Sequence, residues 1–335
     1  MRAWLLGSVL LLLQLAPKAQ NTPHSNPKYL ESDALRAKDG INERPRYGGL
    51  TKTAGQREAD EQFIVQALRQ YGTAQAAMQA HVTFCWHYLA ADHAPTAIKR
   101  FNQAWLLDST AADVYYGFSA YLRQQGQAEE AERFMQLGKR HDKGNEALLK
   151  YYASQTYNQS LRRDYPGAIA TNEKILALAP TNAFAHGRAG YWYLLQQDTA
   201  RAGQYLNRAV QLNPQDSLSY LNRGWLRYGQ KQYPKAVADF TQAIRINAHY
   251  ISAYANRAVA NTDAGNHAAA VTDLQQCLAL VPSRDKGQFY YLLAQAQLKT
   301  NDSSGACEAL RQALEWSYTP AAGKDIKRLM KSACR

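Results

Sequence analysis

The residues best able to do chemistry in this chain are its histidines and its paired carboxylates. His81, His87 and His93 lie six residues apart, whereas side chains share a helical face when they are three or four residues apart. Glu129 and Glu130 form an acidic pair beside a predicted turn, where water solvates them. The sequence contains no HExxH, CxxC, GxSxG, GxGxxG or GxxxxGK[ST] motif. We therefore predict a protein that is not an enzyme and that uses no metal and no cofactor.

The elements that must position these residues repeat along the chain. Three columns of small residues recur at steps of 34 to 37 residues, and each set of three keeps internal offsets of 12 and 7 residues. Small side chains at fixed offsets predict helices that pack closely at the same points in every repeat. The first small column is Cys85, Ser119, Thr156, Gly190, Gly224, Ala258 and Ala294; the second is Ala97, Ala131, Ala168, Ala202, Ala236, Ala270 and Ala306; the third is Ala104, Gly138, Ile175, Ala209, Ala243, Cys277 and Ala313.

This pattern resembles the tetratricopeptide (TPR) repeat, a helix-turn-helix unit of 34 residues. Ala97 with Phe101, and Ala236 with Phe240, reproduce the A-x3-F signature of that family. The resemblance covers residues 78–316 and implies an all-α fold, a right-handed α-solenoid of about seven repeats. Stacked repeats share one continuous core, so that only the two ends need capping helices. Prolines that close repeats in the family pattern are Pro180, Pro214 and Pro282.

The amino terminus predicts export. Met1-Arg2 precedes largely apolar residues from Ala3 to Ala16, a run shorter than the ~20 residues that span a bilayer and typical of a secretory signal. We expect cleavage after Ala19, a periplasmic or secreted protein, and no transmembrane segment after cleavage; the alternative is an uncleaved anchor or a cytosolic start. The segment RFNQAWLLD from Arg100 to Asp108 also resembles one in exported bacterial TPR proteins of unassigned function.

Five segments follow from these patterns. Residues 20–56 mix charges with proline and glycine and show no sustained apolar period, which predicts a flexible arm. Single amphipathic stripes before and after the repeats predict capping helices. The predicted organisation is a signal peptide at 1–19, an N-terminal arm at 20–56, an N-terminal capping helix at 57–77, a TPR solenoid at 78–316 and a C-terminal capping helix at 317–335.

The repeat register divides the four cysteines of the chain. Cys85 and Cys277 fall in small columns, so we expect them to be small buried side chains with free thiols. Cys307 begins the last helix of the last repeat, and Cys334 ends the C-terminal capping helix. We predict a disulfide between these two, and the alternative is that both remain thiols.

The resemblance also implies a ligand site. In TPR proteins one stripe of each first helix lines a concave groove that holds extended peptides or partner helices. Helical geometry places this stripe two residues before and one residue after each member of the first small column. Aromatic side chains supply contact area and Asn or Arg can bond to a peptide; the alternative is that the aromatic residues pack between repeats. The predicted groove residues are Trp86, Tyr157, Arg188, Tyr191, Asn222, Trp225 and Asn256.

The net charge of the chain is compatible with two kinds of partner. The 335 residues include 39 Lys and Arg against 27 Asp and Glu, which gives a net charge of +12. The basic residues are spread out with no Lys/Arg-rich block, so we expect a solvated basic surface and no nucleic-acid partner. We predict a non-catalytic scaffold that binds a protein or peptide in the groove. The alternative is a protein whose basic surface binds an anionic envelope glycan or lipid.

Overall fold

The protein is built from packed pairs of helices throughout the part of the chain that the structure describes. The computed structural model describes residues 41–282, 285–316 and 323–334. Helix follows helix along these ranges, which confirms the predicted all-α repeat solenoid. The predicted signal peptide, residues 1–19, and residues 20–40 of the predicted arm lie outside the described residues. No helix within the described ranges combines the length and the apolar character that crossing a membrane requires.

The chain divides into two compact units between Pro180 and Thr181. The N-terminal unit contains the 3-10 helices Ile41–Glu43 and Pro45–Gly49, followed by α1 (Ala54–Tyr71), α2 (Ala74–Ala90), α3 (Ala94–Leu107), α4 (Ala112–Gln124), α5 (Ala128–His141), α6 (Glu146–Leu161) and α7 (Tyr165–Leu178). The C-terminal unit contains α8 (Ala183–Leu195), α9 (Thr199–Leu212), α10 (Ser217–Gly229), α11 (Tyr233–Ile246), α12 (Ile251–Asp263), α13 (His267–Leu280), α14 (Lys286–Lys299), α15 (Ser303–Glu315) and α16 (Gly323–Ala333).

Each predicted repeat is one packed helix pair, from α2–α3 in repeat one to α14–α15 in repeat seven. The first small column lies on the first helix of each pair, and the other two columns lie on the second helix. Every member of the three columns is buried, including the large Ile175. The register read from the sequence is therefore confirmed.

Small residues are required because the paired helices approach closely. A Cβ atom added at Gly224 would lie 2.6 Å from Cε1 of Phe240, and one added at Gly190 would lie 2.5 Å from Cγ of Leu206. Both distances are shorter than any ordinary carbon contact of about 3.5 to 4.0 Å. Phe240 and Leu206 fill the bulky position of the repeat, so each large side chain on one helix faces a small one on its partner.

The turn between paired helices has the same geometry in all seven repeats. In each repeat, the residue five positions before the member of the second small column has a left-handed φ, from 60° at Arg163 and Lys231 to 83° at Gly265. The residue after it donates its backbone N–H to the carbonyl five positions back, at 2.7 to 2.9 Å, which closes the first helix as a Schellman motif. Gly126 and Gly265 suit this conformation, and five other residue types also adopt it. Helix packing therefore imposes the turn.

A strap of residues 41–50 corrects the prediction for the arm at 20–56. The strap packs against α3, and its residues Ile41, Pro45 and Tyr47 are buried. Expecting a flexible arm was wrong for these residues. Their apolar side chains have no helical or strand period, so sequence periodicity did not reveal that they belong to the core.

One buried amide holds the strap. The Asn102 side chain donates to the carbonyl oxygens of Asn42 and Arg44 at 3.1 and 2.9 Å, and it accepts a bond from the backbone N–H of Arg46 at 2.8 Å. The guanidinium of Arg46 lies over the ring of Trp105, 5.5 Å from its centroid. Asn102 and Trp105 belong to the RFNQAWLLD segment, so this segment holds the strap against α3.

The N-terminal capping helix, α1, begins three residues before the predicted boundary at residue 57. Thr53 caps it in a capping box with Gln56, in which each side chain bonds to the other residue's backbone N–H. The next helix, α2, begins at Ala74 and not at residue 78, because the Thr73 hydroxyl accepts the N–H of Ala76. Capping residues thus set both boundaries.

The three-residue insertion between repeats two and three is organised by one carboxylate. Asp142 accepts a bond from the Tyr116 hydroxyl at 3.3 Å and from the backbone N–H of Leu148 at 2.7 Å. Asn145 has a left-handed φ of 57° and precedes the first residue of α6. The insertion therefore lengthens the connection without disturbing either helix pair.

The C-terminal cap closes the last repeat through apolar packing and a disulfide. Ile326 and Ala333 of α16 are 0% and 4% exposed and pack in the core of the C-terminal unit. Cys307 and Cys334 are joined as predicted, at a sequence separation of 27 residues. Cys85 and Cys277 are buried free cysteines, also as predicted.

The register makes a stability prediction at Ala236, which is 0% exposed in the second small column. Ala236→Leu should overfill the contact with the first helix and lower the free energy of unfolding by roughly 1 to 3 kcal/mol. The neighbouring exposed change Lys235→Gln should cost under about 0.5 kcal/mol. Thermal melts of the two variants measure the difference, and equal shifts would contradict the register.

The cysteine assignments predict a labelling pattern. Native oxidised protein should not react with a thiol reagent, because Cys85 and Cys277 are buried and burial raises the pKa of both thiols. Two thiols should react after unfolding, and peptide mapping should recover Cys307 linked to Cys334. Replacing the linked pair by serine should cost about 3 to 4 kcal/mol by loop-entropy arithmetic. Rapid labelling of Cys85 in folded protein would rule out its core assignment.

Candidate functional site

The first helices of the C-terminal unit present one recurrent face. Side chains at i, i+4 and i+7 lie on the same side of a helix. Neighbouring first helices also touch, α8 with α10 and α10 with α12, so their stripes lie side by side. We call this set the first-helix strip: Phe184, Arg188 and Tyr191 on α8, Leu218, Asn222 and Trp225 on α10, and Ser252, Asn256 and Val259 on α12.

Two large apolar side chains of the strip stand in solvent. Phe184 is 56% exposed and Leu218 is 45% exposed, and both lie six residues before the first small column in adjacent repeats. The guanidinium of Arg188 lies over the Phe184 ring, with Cζ 4.6 Å from the ring centroid, a cation–π contact. Half-buried Tyr191 follows one turn later. Exposed apolar groups in register on adjacent elements are typical of a binding surface.

The amide members of the strip lie beneath its surface. Asn222 and Asn256 are each only 3% exposed, so the structure buries two residues that were predicted to face a groove. Neither amide atom of Asn256 has a hydrogen-bond partner among the described residues, and the buried Nε1 of half-buried Trp225 has none either. An unsatisfied buried polar group costs about 1 to 3 kcal/mol. Asn256 and Trp225 are therefore buried members of the strip with unsatisfied polar atoms.

The remaining predicted groove residues belong to the N-terminal unit. Trp86 is half-buried and meets the rings of Phe101 and Tyr151 edge-on, with centroids 5.6 and 5.9 Å apart. Packing therefore describes Trp86 better than ligand contact, as the alternative held. Tyr157 is 51% exposed. The structure thus does not bring all seven predicted residues onto one surface of a single unit.

Two buried ion pairs lie between the paired helices of repeats five and six. Arg223 donates to both carboxylate oxygens of Asp239 at 3.0 and 2.7 Å. Arg257 donates to both oxygens of Asp273 at 3.0 and 2.6 Å. Each Asp is 3% exposed. Arg227 also contacts Asp239 at 2.7 Å, while burial lowers the pKa of Arg227. Bidentate bonds offset the cost of removing these charges from water.

The same arginines join neighbouring repeats. Nη1 of Arg223 donates to the Asn207 side chain at 3.1 Å, and Nη1 of Arg257 donates to the Thr241 hydroxyl at 3.0 Å. Both acceptors lie on the second helix of the preceding repeat. These side chains therefore fix the first helices that carry the strip, and their charges are satisfied within the protein.

The three spaced histidines do not form a site. His81 is buried against the rings of Phe63 and Tyr71, with centroids 5.2 and 6.2 Å away, whereas His87 and His93 are exposed. Within the described ranges, no group of three or more His, Cys, Asp or Glu residues is placed to hold a metal ion.

Sequence reasoning missed two features of the site. Phe184 and Leu218 continue the predicted stripe by one more helical turn, so the helical period could have found them. Arg223 and Asp239 are 16 residues apart, and the same spacing recurs 34 residues later in Arg257 and Asp273. A search for opposite charges at matching repeat positions would have found both ion pairs.

Comparisons with known proteins agree with the repeat geometry. The tetratricopeptide repeat family matches residues 185–216 and 287–319. The chain is 28% identical over 99 residues to serine/threonine-protein phosphatase 5 of Rattus norvegicus, which is 30% of this chain and 20% of that protein. It is 27% identical over 118 residues to Hsp70-Hsp90 organizing protein 1 of Glycine max, which is 35% of this chain and 20% of that protein. The matched region thus spans about a fifth of each relative.

Solved structures show the same fold. The C-terminal part of a TPR repeat-containing protein from Cytophaga hutchinsonii superposes with a TM-score of 0.54 at 14% identity, covering 73% of this chain and 98% of that one. The crystal structure of the APC/C hetero-tetramer Cut9-Hcn1 gives a TM-score of 0.50 at 15% identity, covering 78% of this chain and 48% of that one. Register, helix pairing and these likenesses agree: the chain contains tetratricopeptide repeats within an all-α solenoid fold.

Proposed function

We propose that this protein is a non-catalytic scaffold that binds a peptide segment of a partner along the first-helix strip of its C-terminal unit. The observation that carries the proposal is the exposure of Phe184 and Leu218 at equivalent positions of adjacent repeats. Large apolar side chains in water are stabilised when a partner covers them. The protein-interaction character of the TPR fold supports the same reading, as does the absence of catalytic motifs from the sequence.

The spacing of the strip selects the shape of the ligand. Packed helices lie about 8 to 10 Å apart, and an extended chain advances about 3.3 Å per residue. An extended peptide that crosses α8 and α10 would therefore contact both Phe184 and Leu218 if its own apolar residues are two or three positions apart. The Arg188 guanidinium over the Phe184 ring holds that side chain at the surface of α8. The preferred ligand is an extended segment with spaced apolar residues.

The alternative partner is an anionic envelope glycan or lipid bound by the basic surface. The net charge of +12 favours it, and salt distinguishes the two modes. Raising ionic strength from about 0.1 M to about 1 M shortens the Debye length from about 10 Å to about 3 Å. Binding led by dispersed charge should weaken steeply, whereas binding led by apolar contact should change little.

Export to an oxidising compartment, periplasmic or secreted, is part of the proposal. The apolar run after Met1-Arg2 supports it, and so does the disulfide between Cys307 and Cys334, because such bonds persist mainly outside the cytosol. The protein names Hsp70-Hsp90 organizing protein and APC/C describe those relatives, and they assign no partner here.

Peptide binding predicts a clean effect of surface substitution. Phe184→Ser combined with Leu218→Ser should weaken binding of peptides selected from a random phage-displayed library at least tenfold, about 1.4 kcal/mol. Fluorescence anisotropy with the selected peptides measures this. The melting temperature should stay within a few degrees, because both side chains are exposed.

A matched control uses two exposed leucines outside the strip. Leu161→Ser combined with Leu178→Ser removes side chains that are 64% and 38% exposed, and peptide affinity should not change. Failure to select any peptide, or equal weakening by both double variants, would refute the proposed site. Steep loss of binding with salt would favour the glycan or lipid alternative.

Export predicts the covalent form of the mature protein. Expression of the full coding sequence in a Gram-negative host should give a periplasmic product whose intact mass corresponds to a start near Gln20. The same mass should show the Cys307–Cys334 bond. A cytosolic product that keeps Met1 and four thiols would contradict export.

A further inference from the structure

Each repeat places three residues in the gap between its two helices, and we call them the inter-helix triplet. Two of them lie on the first helix, one residue before and three residues after the member of the first small column. The third lies on the second helix, three residues after the member of the second small column. In repeat five the triplet is Arg223, Arg227 and Asp239. The other triplets, in chain order, are Phe84, Tyr88 and Arg100; Phe118, Leu122 and Phe134; Gln155, Gln159 and Thr171; Ala189, Tyr193 and Tyr205; Arg257, Asn261 and Asp273; and Leu293, Gln297 and Ala309.

Where the triplets make close contacts, their members match chemically. In repeat two the rings of Phe118 and Phe134 meet edge-to-face with centroids 5.3 Å apart. In repeat four Tyr193 and Tyr205 stack at 5.4 Å. Repeats five and six hold the Arg–Asp pairs described above. A gap that excludes water requires such matching, because an unpaired polar or charged group there is costly.

Repeat one breaks this rule. Its triplet places Arg100, which is only 8% exposed, opposite Phe84 and Tyr88. Arg100 donates one bond, from Nη1 to the side-chain oxygen of Gln103 at 2.8 Å. No carboxylate in the described part of the chain makes an ion pair with Arg100, and burial lowers the pKa of its guanidinium. A buried charge bonded to one neutral amide lacks the counter-ion that the equivalent sites of repeats five and six possess.

A second buried polar group lies within range of the charge of this guanidinium. His81 on α2 is 5% exposed, and its Nδ1 has no hydrogen-bond partner among the described residues. Burial, together with the nearby charge of Arg100, lowers the pKa of His81 to about 4. The imidazole is therefore neutral at pH 7 and still has unused hydrogen-bonding capacity. Arg100 thus lacks a counter-ion and His81 has an unused ring nitrogen, on adjacent helices, and one bound anion would serve both.

We propose that Arg100 and His81 form a carboxylate-binding site in the N-terminal unit, where α1, α2 and α3 meet, and that an acidic group of a ligand occupies it. Repeat six shows the chemistry: the Asp273 carboxylate contacts the Arg257 guanidinium and, at 3.4 Å, the Asn261 amide. Repeat one supplies the guanidinium and an amide, from Gln103, and lacks only the acid. This site goes beyond the peptide strip, since it belongs to the other unit and recognises charge.

The experiment compares two buried arginines in the full-length protein. In chloride buffer, Arg100→Met should raise the melting temperature by roughly 2 °C or more, because it replaces an unpaired buried charge by an apolar chain of similar length. Arg223→Met, the matched variant, should lower the melting temperature, because it removes a partner from Asp239. An Arg100→Met protein that melts lower than the parent or fails to fold overturns the proposal.

Ligand chemistry is tested with sodium acetate against sodium chloride at constant ionic strength. Acetate should raise the melting temperature of the parent and leave Arg100→Met unchanged, since a ligand that binds only the folded state stabilises it. In nuclear magnetic resonance spectra of the parent, the Nε–Hε signal of Arg100, assigned by its loss in Arg100→Lys, should shift on acetate titration. An equal acetate effect on parent and Arg100→Met, or a larger effect of inorganic phosphate than of acetate, overturns the assignment to a carboxylate.

Discussion

The close approach of two helices within each repeat is the constraint on which the rest of this structure depends. Alanines of the second small column are fully buried, and Gly224 lies so near Phe240 that an added Cβ would clash. Close packing fixes the connection between the helices, so that Lys231 adopts a left-handed φ of 60° although it gains nothing from that conformation itself. Seven repetitions of one contact then build the continuous core of each unit.

Because the paired helices lie so close, the small-column positions are nearly constant from repeat to repeat, whereas the residue types of the inter-helix triplet vary. The three column positions accept small residues and little else, whereas the inter-helix triplet accepts aromatic rings in one repeat and a salt bridge in another, provided that the members satisfy one another. Side chains that point away from this gap are not bound by that rule. Phe184 and Leu218 therefore remain exposed without harming the core, and this freedom permits the binding surface that we propose.

The sequence predicts the features that repeat and misses those that occur once. The small columns recur in seven repeats, so the sequence predicts the fold. The same register places Cys85 and Cys277 in small columns, which left Cys307 and Cys334 as the predicted disulfide. The strap has no period, so nothing in the sequence distinguished Tyr47 from a loop residue. At the candidate site, helical spacing predicted a stripe on the first helices, but it could not tell that Asn222 is buried or that Trp86 packs on the core, where it meets the ring of Tyr151 from another repeat.

The strap also bears on the order in which the chain folds. Contacts within a repeat are local, and local contacts form quickly because little chain entropy is lost in closing them. The bonds from the strap to Asn102 are different, since they join residues 56 to 60 positions apart. During synthesis this segment leaves the ribosome before its binding surface on α3 exists. The first residues of the described structure to be made must therefore wait for helices made after them, and they dock late.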